Sequence, residues 1–239
     1  MKSLSFAIRL FAILFDIMSA GDETVPKKIY LVRHAQSVGN AEGRIQGWFD
    51  SPLNELGRRQ ADVLARRLAA EASIDAIFAS PLQRAAETAQ IVGRVLNRPV
   101  IFEDDLREYN MGPISGLTLP EIEEQFPERL LAFKENRRLP HLPGEEGEAM
   151  FMERVRLGME NIIRQISEGQ SILVVSHGGT LNACLRQWLG VNGYTRHPFR
   201  IENASVTLVE INEIHKQVVY LNDTCHLATI DQTGKLTND

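Results

Sequence analysis

Residues 29–40 read IYLVRHAQSVGN, and this stretch determines the fold expected for the rest of the chain. It begins with an apolar run and then passes to arginine, histidine and small polar residues. Such a run is typical of a strand that is buried on both faces, as in the parallel sheets of α/β proteins. The stretch therefore predicts a buried strand that presents Arg33 and His34 at its tip.

Strand-like and helix-like segments alternate along the remaining sequence. Short apolar runs predict strands at 28–33, 74–80, 99–102, 171–176, 205–211 and 216–221. Apolar residues at helical spacing predict helices at 54–72, from Ser80 to about 96, at 148–167 and at 178–190. Ser80 and Pro81 suit the N-cap and first turn of their helix. This order predicts a three-layer α/β/α sandwich with a mostly parallel central sheet, and the segment at about 112–147 is expected to form a small helical cap.

Length and composition favour one globular domain over residues 27–239. A formal net charge of -5 argues against general binding to nucleic acid or anionic membranes, because these partners favour basic surfaces. Cys184 and Cys225 lack the spacing of a disulfide framework or a zinc site. Both cysteines are therefore predicted to be reduced core thiols.

Residues 1–26 differ in character from the domain that follows. Their basic start, apolar body and small residues resemble a signal peptide, but Arg9 and Asp16 interrupt the apolar run. The segment is too short and too interrupted to span a membrane. Two interpretations stay open, an export leader and an extra amphipathic segment of a cytoplasmic enzyme, and the second is the expectation.

Charged and small residues follow three of the predicted strands. In open α/β sheets, ligands bind beyond the carboxyl ends of the strands, so these residues are expected along one edge. They are two arginines, two histidines and two glycines: Arg33, His34, Arg84, His177, Gly178 and Gly179. Arginine forks bind phosphate oxygens in a bidentate manner, and glycines expose backbone N–H groups. The set therefore indicates a phosphoryl site.

Three of these residues also have a purely structural interpretation. Arg84 falls in the first turn of its predicted helix, where a cation costs about 0.3–1 kcal/mol, so a bound anion is favoured. Alternatively, Arg84 pairs with Glu87 and has no further role. His34 and His177 are equally compatible with hydrogen-bonded residues at a strand end and a helix start. The convergence of all of them on one edge is what favours a site.

Phosphoryl transfer at such a site requires a nucleophile and a proton donor. A histidine that is neutral on its attacking nitrogen can attack phosphorus, which splits one difficult displacement into two easier ones. A carboxylic acid can protonate the leaving alkoxide. Glu108, in LREYNMG, is the best-placed candidate, and three neighbouring acids remain as alternatives: Glu103, Asp104 and Asp105.

Five ordered motifs resemble the histidine phosphatase superfamily, in the branch that includes cofactor-dependent phosphoglycerate mutases and small-molecule phosphatases. The motifs are RHAQS with Asn40, SPLQRAAETA, LREYNMGPISG, SHGGT and LNDTCHL, and the resemblance runs from about residue 28 to 227. It implies a phosphoglycerate mutase-like fold and a phosphohistidine intermediate.

The resemblance also implies a role for each matching residue. His34 would be the nucleophile and Glu108 the proton donor. Three residues would hold the phosphoryl oxygens: Arg33, Arg84 and His177. Four would line the phosphate pocket and its approach: Asn40, Gln46, Gly47 and Gly178, the last through its backbone. No metal and no other cofactor is implied, because arginines and histidines supply the positive charge.

Two departures from the family pattern occur in this sequence. The usual RHG is RHA, so Ala35 stands at a position normally given to glycine, where its methyl group would tighten the pocket. The usual PGGES is PGEEG at 143–147, with Glu145 and Gly147 in place of glycine and serine. The second change is expected to alter the local geometry of its loop.

The short segment between Glu108 and His177 favours a phosphatase of small phosphorylated metabolites. The mutases of the family have a longer insertion, so a mutase is the alternative, and a phosphate-binding module without turnover is a further one. A second anionic group on the substrate would meet basic residues of the cap, namely Lys134, Arg137, Arg138 and His141, unless these form a solvated face. The resemblance is also compatible with a homodimer.

Overall fold

The computed structural model describes residues 25–135, 140–191 and 197–230 of the chain. Six strands lie in these ranges: β1 (Lys27–Arg33), β2 (Ala76–Ala79), β3 (Val100–Phe102), β4 (Ser171–Ser176), β5 (Val206–Ile211) and β6 (Lys216–Asp223). Seven α-helices lie there as well: α1 (Val38–Ala41), α2 (Glu55–Glu71), α3 (Gln83–Leu96), α4 (Leu119–Gln125), α5 (Pro127–Lys134), α6 (Glu148–Arg164) and α7 (Gly178–Trp188). The expectations for residues 1–24, Arg137 and Arg138 fall outside the described residues.

The strands form one mixed sheet with the order β3-β2-β4-β1-β5-β6. The four strands β3, β2, β4 and β1 are parallel to one another. β5 is antiparallel to both β1 and β6, so the antiparallel pairs occupy one side of the sheet. The predicted α/β architecture with a largely parallel sheet is confirmed.

Alternate residues of β1 face opposite sides of the sheet, as the geometry of a strand requires. Tyr30 and Val32 pack into an apolar cluster with residues of α2 and α3. Ile29 and Leu31 pack into a second cluster with residues of α6 and α7. Helices therefore cover both faces, which explains why this strand is apolar along its length and confirms the three layers.

The register between β1 and β4 brings the ends of these two strands together. Arg33 lies opposite Ser176, and the backbone N–H of His34 donates to the Ser176 carbonyl oxygen at 2.9 Å. The next residue after Ser176 is His177, from which α7 begins. The parallel pairing thus places the two histidines side by side at the carboxyl edge of the sheet.

The predicted start of the helix after β2 was wrong by two residues. Leu82, not Ser80, is the N-cap of α3, and it makes no side-chain capping bond. The N–H of Ser80 donates to the Val175 carbonyl oxygen at 3.0 Å, which extends the sheet ladder beyond β2. Ser80 is therefore held in extended backbone, and its hydroxyl group contacts His177 instead of capping the helix.

The cap segment contains two short helices that meet at Pro127. Thr118 caps α4 in a capping box with Glu121, which gives this helix a defined start. Pro127 occupies the first turn of α5, where its missing N–H costs nothing. Ile122 and Leu130 pack together with residues such as Ile114 in a small apolar cluster of their own.

The two cysteines differ in their surroundings. Cys184 is buried in the cluster between the sheet and α7, as predicted. Cys225 is exposed, so the prediction of a core thiol was wrong for it. It begins a short 3-10 turn after β6, and the buried residue of that turn is its neighbour His226.

Within the described ranges, no helix is both long enough and apolar enough to cross a membrane.

Candidate active site

A cavity of about 1440 Å³ opens where the ends of β1 and β4 meet. Four of the five predicted catalytic residues line it: Arg33, His34, Arg84 and Glu108. The fifth, His177, is buried beside them, with its ring centroid 5.2 Å from that of His34. The four residues predicted to bind substrate also line the cavity: Asn40, Gln46, Gly47 and Gly178. The structure thus brings the whole predicted set together.

His34 presents one ring nitrogen that is free to act as a nucleophile. Its Nδ1 lies 2.8 Å from the carbonyl oxygen of Ala35, which can only accept a hydrogen bond. In the neutral ring Nδ1 therefore carries the proton, and the lone pair is on Nε2. Burial lowers the pKa of His34 well below its usual value, and the nearby Arg84 and Arg33 lower it further.

His177 is oriented by the residue that the sequence assigned to a helix cap. Its Nε2 lies 2.8 Å from the hydroxyl oxygen of Ser80. When that hydroxyl donates to Nε2, Nδ1 carries the proton and has no partner among the described residues. Burial lowers the pKa of His177 well below its usual value, with smaller contributions from Arg84 and His34. An anion in the cavity would favour the charged ring.

Arg84 is fixed by backbone carbonyl groups and makes no pair with Glu87. Its Nη1 donates to the Phe49 carbonyl oxygen at 3.0 Å and its Nη2 to that of Gly47 at 2.8 Å. Glu87 instead accepts from Arg58 at 2.6 Å. Burial of the Arg84 guanidinium lowers its pKa to about 10. The predicted pairing of Arg84 with Glu87, on which the structural alternative rested, is therefore wrong.

Several buried donors at this end of the cavity have no hydrogen-bond partner among the described residues. They are Arg33 Nε, Arg84 Nε and His177 Nδ1. An unpaired buried donor costs about 1–3 kcal/mol, and more when it is charged. An oxyanion in the cavity would bring negative charge close to these groups and offset that cost, so the donor set fits a phosphoryl group.

Glu108 is held by two backbone N–H groups. Its Oε2 accepts from Gly179 and its Oε1 from Tyr109, each at 2.8 Å. The three alternative acids do not line the cavity. Asp104, for example, pairs with Arg107 on the surface at 2.7 Å. The structure therefore leaves Glu108 as the carboxyl group of this loop that reaches the cavity.

The helical turn that follows His34 is hydrogen-bonded to the segment of Gln46 and Gly47, which lines the cavity. The hydroxyl group of Ser37 donates to Gln46 Oε1 at 2.8 Å and caps α1 through Asn40. Gly47 has a φ of +50°, and a Cβ there would lie 2.9 Å from Met111. Glycine is thus required where the chain turns under Arg84.

The loop that departs from the family pattern forms a buried ion pair at the wall of the cavity. Glu145 accepts hydrogen bonds from the Tyr109 hydroxyl at 2.6 Å, from the Leu142 N–H at 3.0 Å and from Arg129 of α5. The side chains of Arg129 and Glu145 are 5% and 3% exposed. The pair joins the cap to Tyr109, which directly follows Glu108 in the chain.

The basic residues of the cap are only partly placed against the cavity. His141 lines it, whereas Lys134 does not and pairs with the exposed Glu123 at 3.1 Å. Arg186 of α7 lines the cavity and was not singled out from the sequence. Its position eight residues after Gly178 is the signal that was missed, because this spacing returns to the same helix face.

In the described part of the chain, no three His, Cys, Asp or Glu side chains are grouped so as to hold a metal ion.

Comparisons with known proteins identify the family. The model of the histidine phosphatase superfamily (branch 1) matches residues 29–224. Phosphoserine phosphatase 1 of Hydrogenobacter thermophilus is 36% identical over 200 residues, which cover 84% of this chain and 94% of the relative. A probable phosphoglycerate mutase, GpmB of Yersinia enterocolitica, is 35% identical over 193 residues, which cover 78% and 86%. The solved structure of the alpha-ribazole phosphatase of Shigella flexneri has a TM-score of 0.75 at 25% identity, with 82% of this chain and 96% of that chain covered. The chain therefore belongs to branch 1 of the histidine phosphatase superfamily.

Proposed function

We propose that this protein hydrolyses small phosphomonoesters by way of a phosphohistidine at His34. The observation that carries the proposal is the arrangement of His34, which lines the cavity together with Arg33 and Arg84. Its Nδ1 is hydrogen-bonded to a backbone carbonyl oxygen, so Nε2 keeps its lone pair. A neutral imidazole nitrogen beside fixed positive charge is what attack on a phosphate dianion requires.

In the first step, Nε2 of His34 attacks phosphorus and the bond from phosphorus to the ester oxygen breaks. Glu108, in its acid form, gives its proton to the leaving oxygen, so that an alcohol departs. Arg33, Arg84 and His177 hold the phosphoryl oxygens as charge builds on them. Gly178 adds a backbone N–H at the start of α7, where the helix dipole favours an anion.

In the second step, water replaces the alcohol. Glu108, now a carboxylate, takes a proton from the water as its oxygen attacks phosphorus. The bond between phosphorus and Nε2 breaks, which releases inorganic phosphate and restores neutral His34 and protonated Glu108. The arginines supply the positive charge that metal ions provide in other phosphatases, so we propose that the reaction needs no metal.

The substrate belongs to the class of small phosphorylated metabolites. The names of the relatives support a phosphatase, and phosphoserine and alpha-ribazole phosphate are the compounds to test first. A phosphoglycerate mutase is the less favoured alternative, which rests on the similarity to the probable mutase. A cytoplasmic location and a homodimer complete the proposal, and they derive from the sequence and the family respectively.

The decisive measurement is hydrolysis of p-nitrophenyl phosphate in the presence of EDTA. We expect the wild type to be active and His34→Ala to lose more than about 10³-fold in kcat, because the nucleophile is removed. His215→Ala is the matched control, since His215 is an exposed histidine remote from the cavity. Equal activity of His34→Ala and wild type would refute the role of His34.

Two other outcomes would redirect the proposal. Strict dependence of the wild type on added magnesium or zinc would contradict a metal-free mechanism. A wild type that interconverts phosphoglycerates but releases no phosphate from any ester would be a mutase.

A further inference from the structure

Arg186 lies on the face of α7 that lines the cavity. Gly178, Asn182 and Arg186 are spaced four residues apart, and all three contribute to the lining. Because an α-helix rises 1.5 Å per residue, the Cα of Arg186 is about 12 Å along the axis from that of Gly178. Long side chains in helices lean towards the N-terminus, here the end that carries Gly178. The cavity thus runs along α7 from the phosphate end to Arg186.

Arg186 differs from the other arginines of the cavity in its pairing. Arg33 and Arg84 belong to the phosphate end. Away from it, Arg44 has Glu42 at 2.6 Å, and Arg129 is hydrogen-bonded to Glu145. Among the described residues, Arg186 has one acidic partner, Glu148, with 3.7 Å between Nη1 and Oε1, which is too long for a hydrogen bond.

The guanidinium of Arg186 is also poorly solvated. Its side chain is 14% exposed, and its Nε is buried without a hydrogen-bond partner in the described parts of the chain. The carboxylate of Glu148 is 67% exposed, so water hydrates it well and it compensates little for the burial of the arginine. A largely buried cation whose ion pair is long and whose partner is well hydrated is unfavourable, and an anion in the cavity would relieve this.

A guanidinium group selects a particular kind of anion. Its planar fork matches the two oxygens of a carboxylate or of a phosphate, with which it forms two parallel hydrogen bonds. The cavity of about 1440 Å³ exceeds the volume that a phosphoryl group fills, so it has room for an organic chain between two anionic ends.

We infer that Arg186 binds a second anionic group of the substrate, at the end remote from the phosphate that is cleaved. The substrate class is then a phosphomonoester that carries a carboxylate or a second phosphate on its alcohol portion. This inference rests on the proposed phosphatase function. It places the second anionic subsite on α7, whereas the sequence analysis considered only basic residues of the cap for this role.

The test compares matched pairs of substrates that differ only at the remote end. Phosphate monoesters of ω-hydroxyalkanoic acids of increasing length are compared with alkyl phosphates of the same length, and with the corresponding α,ω-bisphosphates. The measured quantity is the specificity ratio, defined as kcat/KM for the ester with a second anionic group divided by kcat/KM for its alkyl counterpart. The carboxylate and bisphosphate series distinguish the two kinds of second anion.

For the wild type we expect a specificity ratio above one that is largest at one chain length. Arg186→Met should lower this ratio about 10- to 100-fold, because a charged hydrogen-bonded pair is lost. Arg186→Lys should lower it less, since it keeps the charge but not the fork. Arg44→Gln is the matched control, because Arg44 lines the same cavity but already has an acidic partner, and its ratio should equal that of the wild type.

Each contrary result has a distinct meaning. A wild-type ratio of one or less at every length, or an unchanged ratio in Arg186→Met, would overturn the inference while leaving the phosphatase intact. An equal fall in Arg44→Gln would show a general effect of positive charge and would also overturn it. Absence of wild-type activity on every ester would instead refute the proposed function on which the inference rests.

Discussion

The backbone at Gly179 fixes the position of the Glu108 carboxyl group. The N–H of Gly179 donates to Glu108 Oε2, and a Cβ on this residue would lie only 2.3 Å from Glu108 Oε1. A carboxylate therefore occupies the space that any larger side chain would need. At Gly178, by contrast, a Cβ would lie 3.6 Å from Arg33 Nε, which is an ordinary van der Waals contact.

We predict that Gly179→Ala impairs the proton donor selectively. The added methyl group displaces Glu108, so kcat for an alkyl phosphate should fall at least about 10-fold, towards the 10²–10⁴-fold typical of a lost general acid. Activity on p-nitrophenyl phosphate should fall less, because nitrophenolate leaves without a proton. The measurement is the ratio of alkyl to aryl phosphatase activity.

Gly158→Ala on α6 is the control for this prediction. A Cβ on Gly158 would lie 2.5 Å from Asp105 Cβ, so the crowding is similar but is remote from the catalytic groups. It should lower the melting temperature and leave the alkyl-to-aryl ratio unchanged. If the alkyl-to-aryl activity ratio of Gly179→Ala equals that of the wild type, Glu108 is not the proton donor.

At the scale of elements, the cap contains a buried ion pair between Arg129 on α5 and Glu145, and the Tyr109 hydroxyl group ties this pair to the loop that carries Glu108. Desolvation of both groups is costly, and the pair is tolerated because Tyr109 and the Leu142 N–H complete the bonding of the carboxylate. The same cap has an exposed pair, Lys134 with Glu123, whose side chains are 58% and 65% exposed. The two pairs allow a comparison within one segment.

We predict that Glu145→Ala lowers the free energy of unfolding by about 3–5 kcal/mol, because it leaves Arg129 buried and unpaired. Glu123→Ala, the matched control, should cost less than about 1 kcal/mol, since exposed pairs contribute little. Adding Arg129→Met to Glu145→Ala should recover much of the loss. Urea unfolding measures all three, and equal effects of the two acidic substitutions would contradict the prediction.

At the scale of the whole molecule, several histidines are buried in the neutral form. The pKa values of His34 and His177 are lowered well below the usual value, chiefly by burial. The pKa of His226 is lowered from 6.5 to about 4 by burial and by Arg67 of α2, which outweigh the raising effects of the Ala204 backbone and of two nearby acids, Asp223 and Glu71. Each of these rings prefers to remain unprotonated in the folded state.

We predict that the folded state loses stability as the pH falls from 6.5 towards 4. Over this range the unfolded chain binds protons on these histidines that the native state does not, so the free energy of unfolding decreases with decreasing pH. Because His226 keeps partial contact with solvent, we expect its contribution to the loss of unfolding free energy at pH 5 to be about 1 kcal/mol.

Urea unfolding at pH 7 and pH 5 measures this effect. His226→Gln, which lies outside the cavity, should show a smaller difference between the two pH values than the wild type. His215→Gln, at an exposed histidine, should behave as the wild type does. A wild type that is as stable at pH 5 as at pH 7 would contradict the prediction.

The sequence predicted what depends on local pattern. The apolar run of β1 and the helical spacing of α2 and α7 report the burial of neighbouring residues, so the layers and the three strand ends followed from them. The motifs around His34, Arg84 and His177 were sufficient to predict that these residues would lie on one edge.

The tertiary structure decided what depends on contacts between distant segments. It held Ser80 in extended backbone against β4 and turned its hydroxyl group to His177, where local preference favoured a helix cap. It brought Glu108 to the cavity through the Gly179 N–H, whereas spacing alone left four acids open. It left Arg186 beside the cavity with a long ion pair to the exposed Glu148. Strand pairing and the choice of hydrogen-bond partner depend on which chain segments come together, and a local pattern carries no information about that.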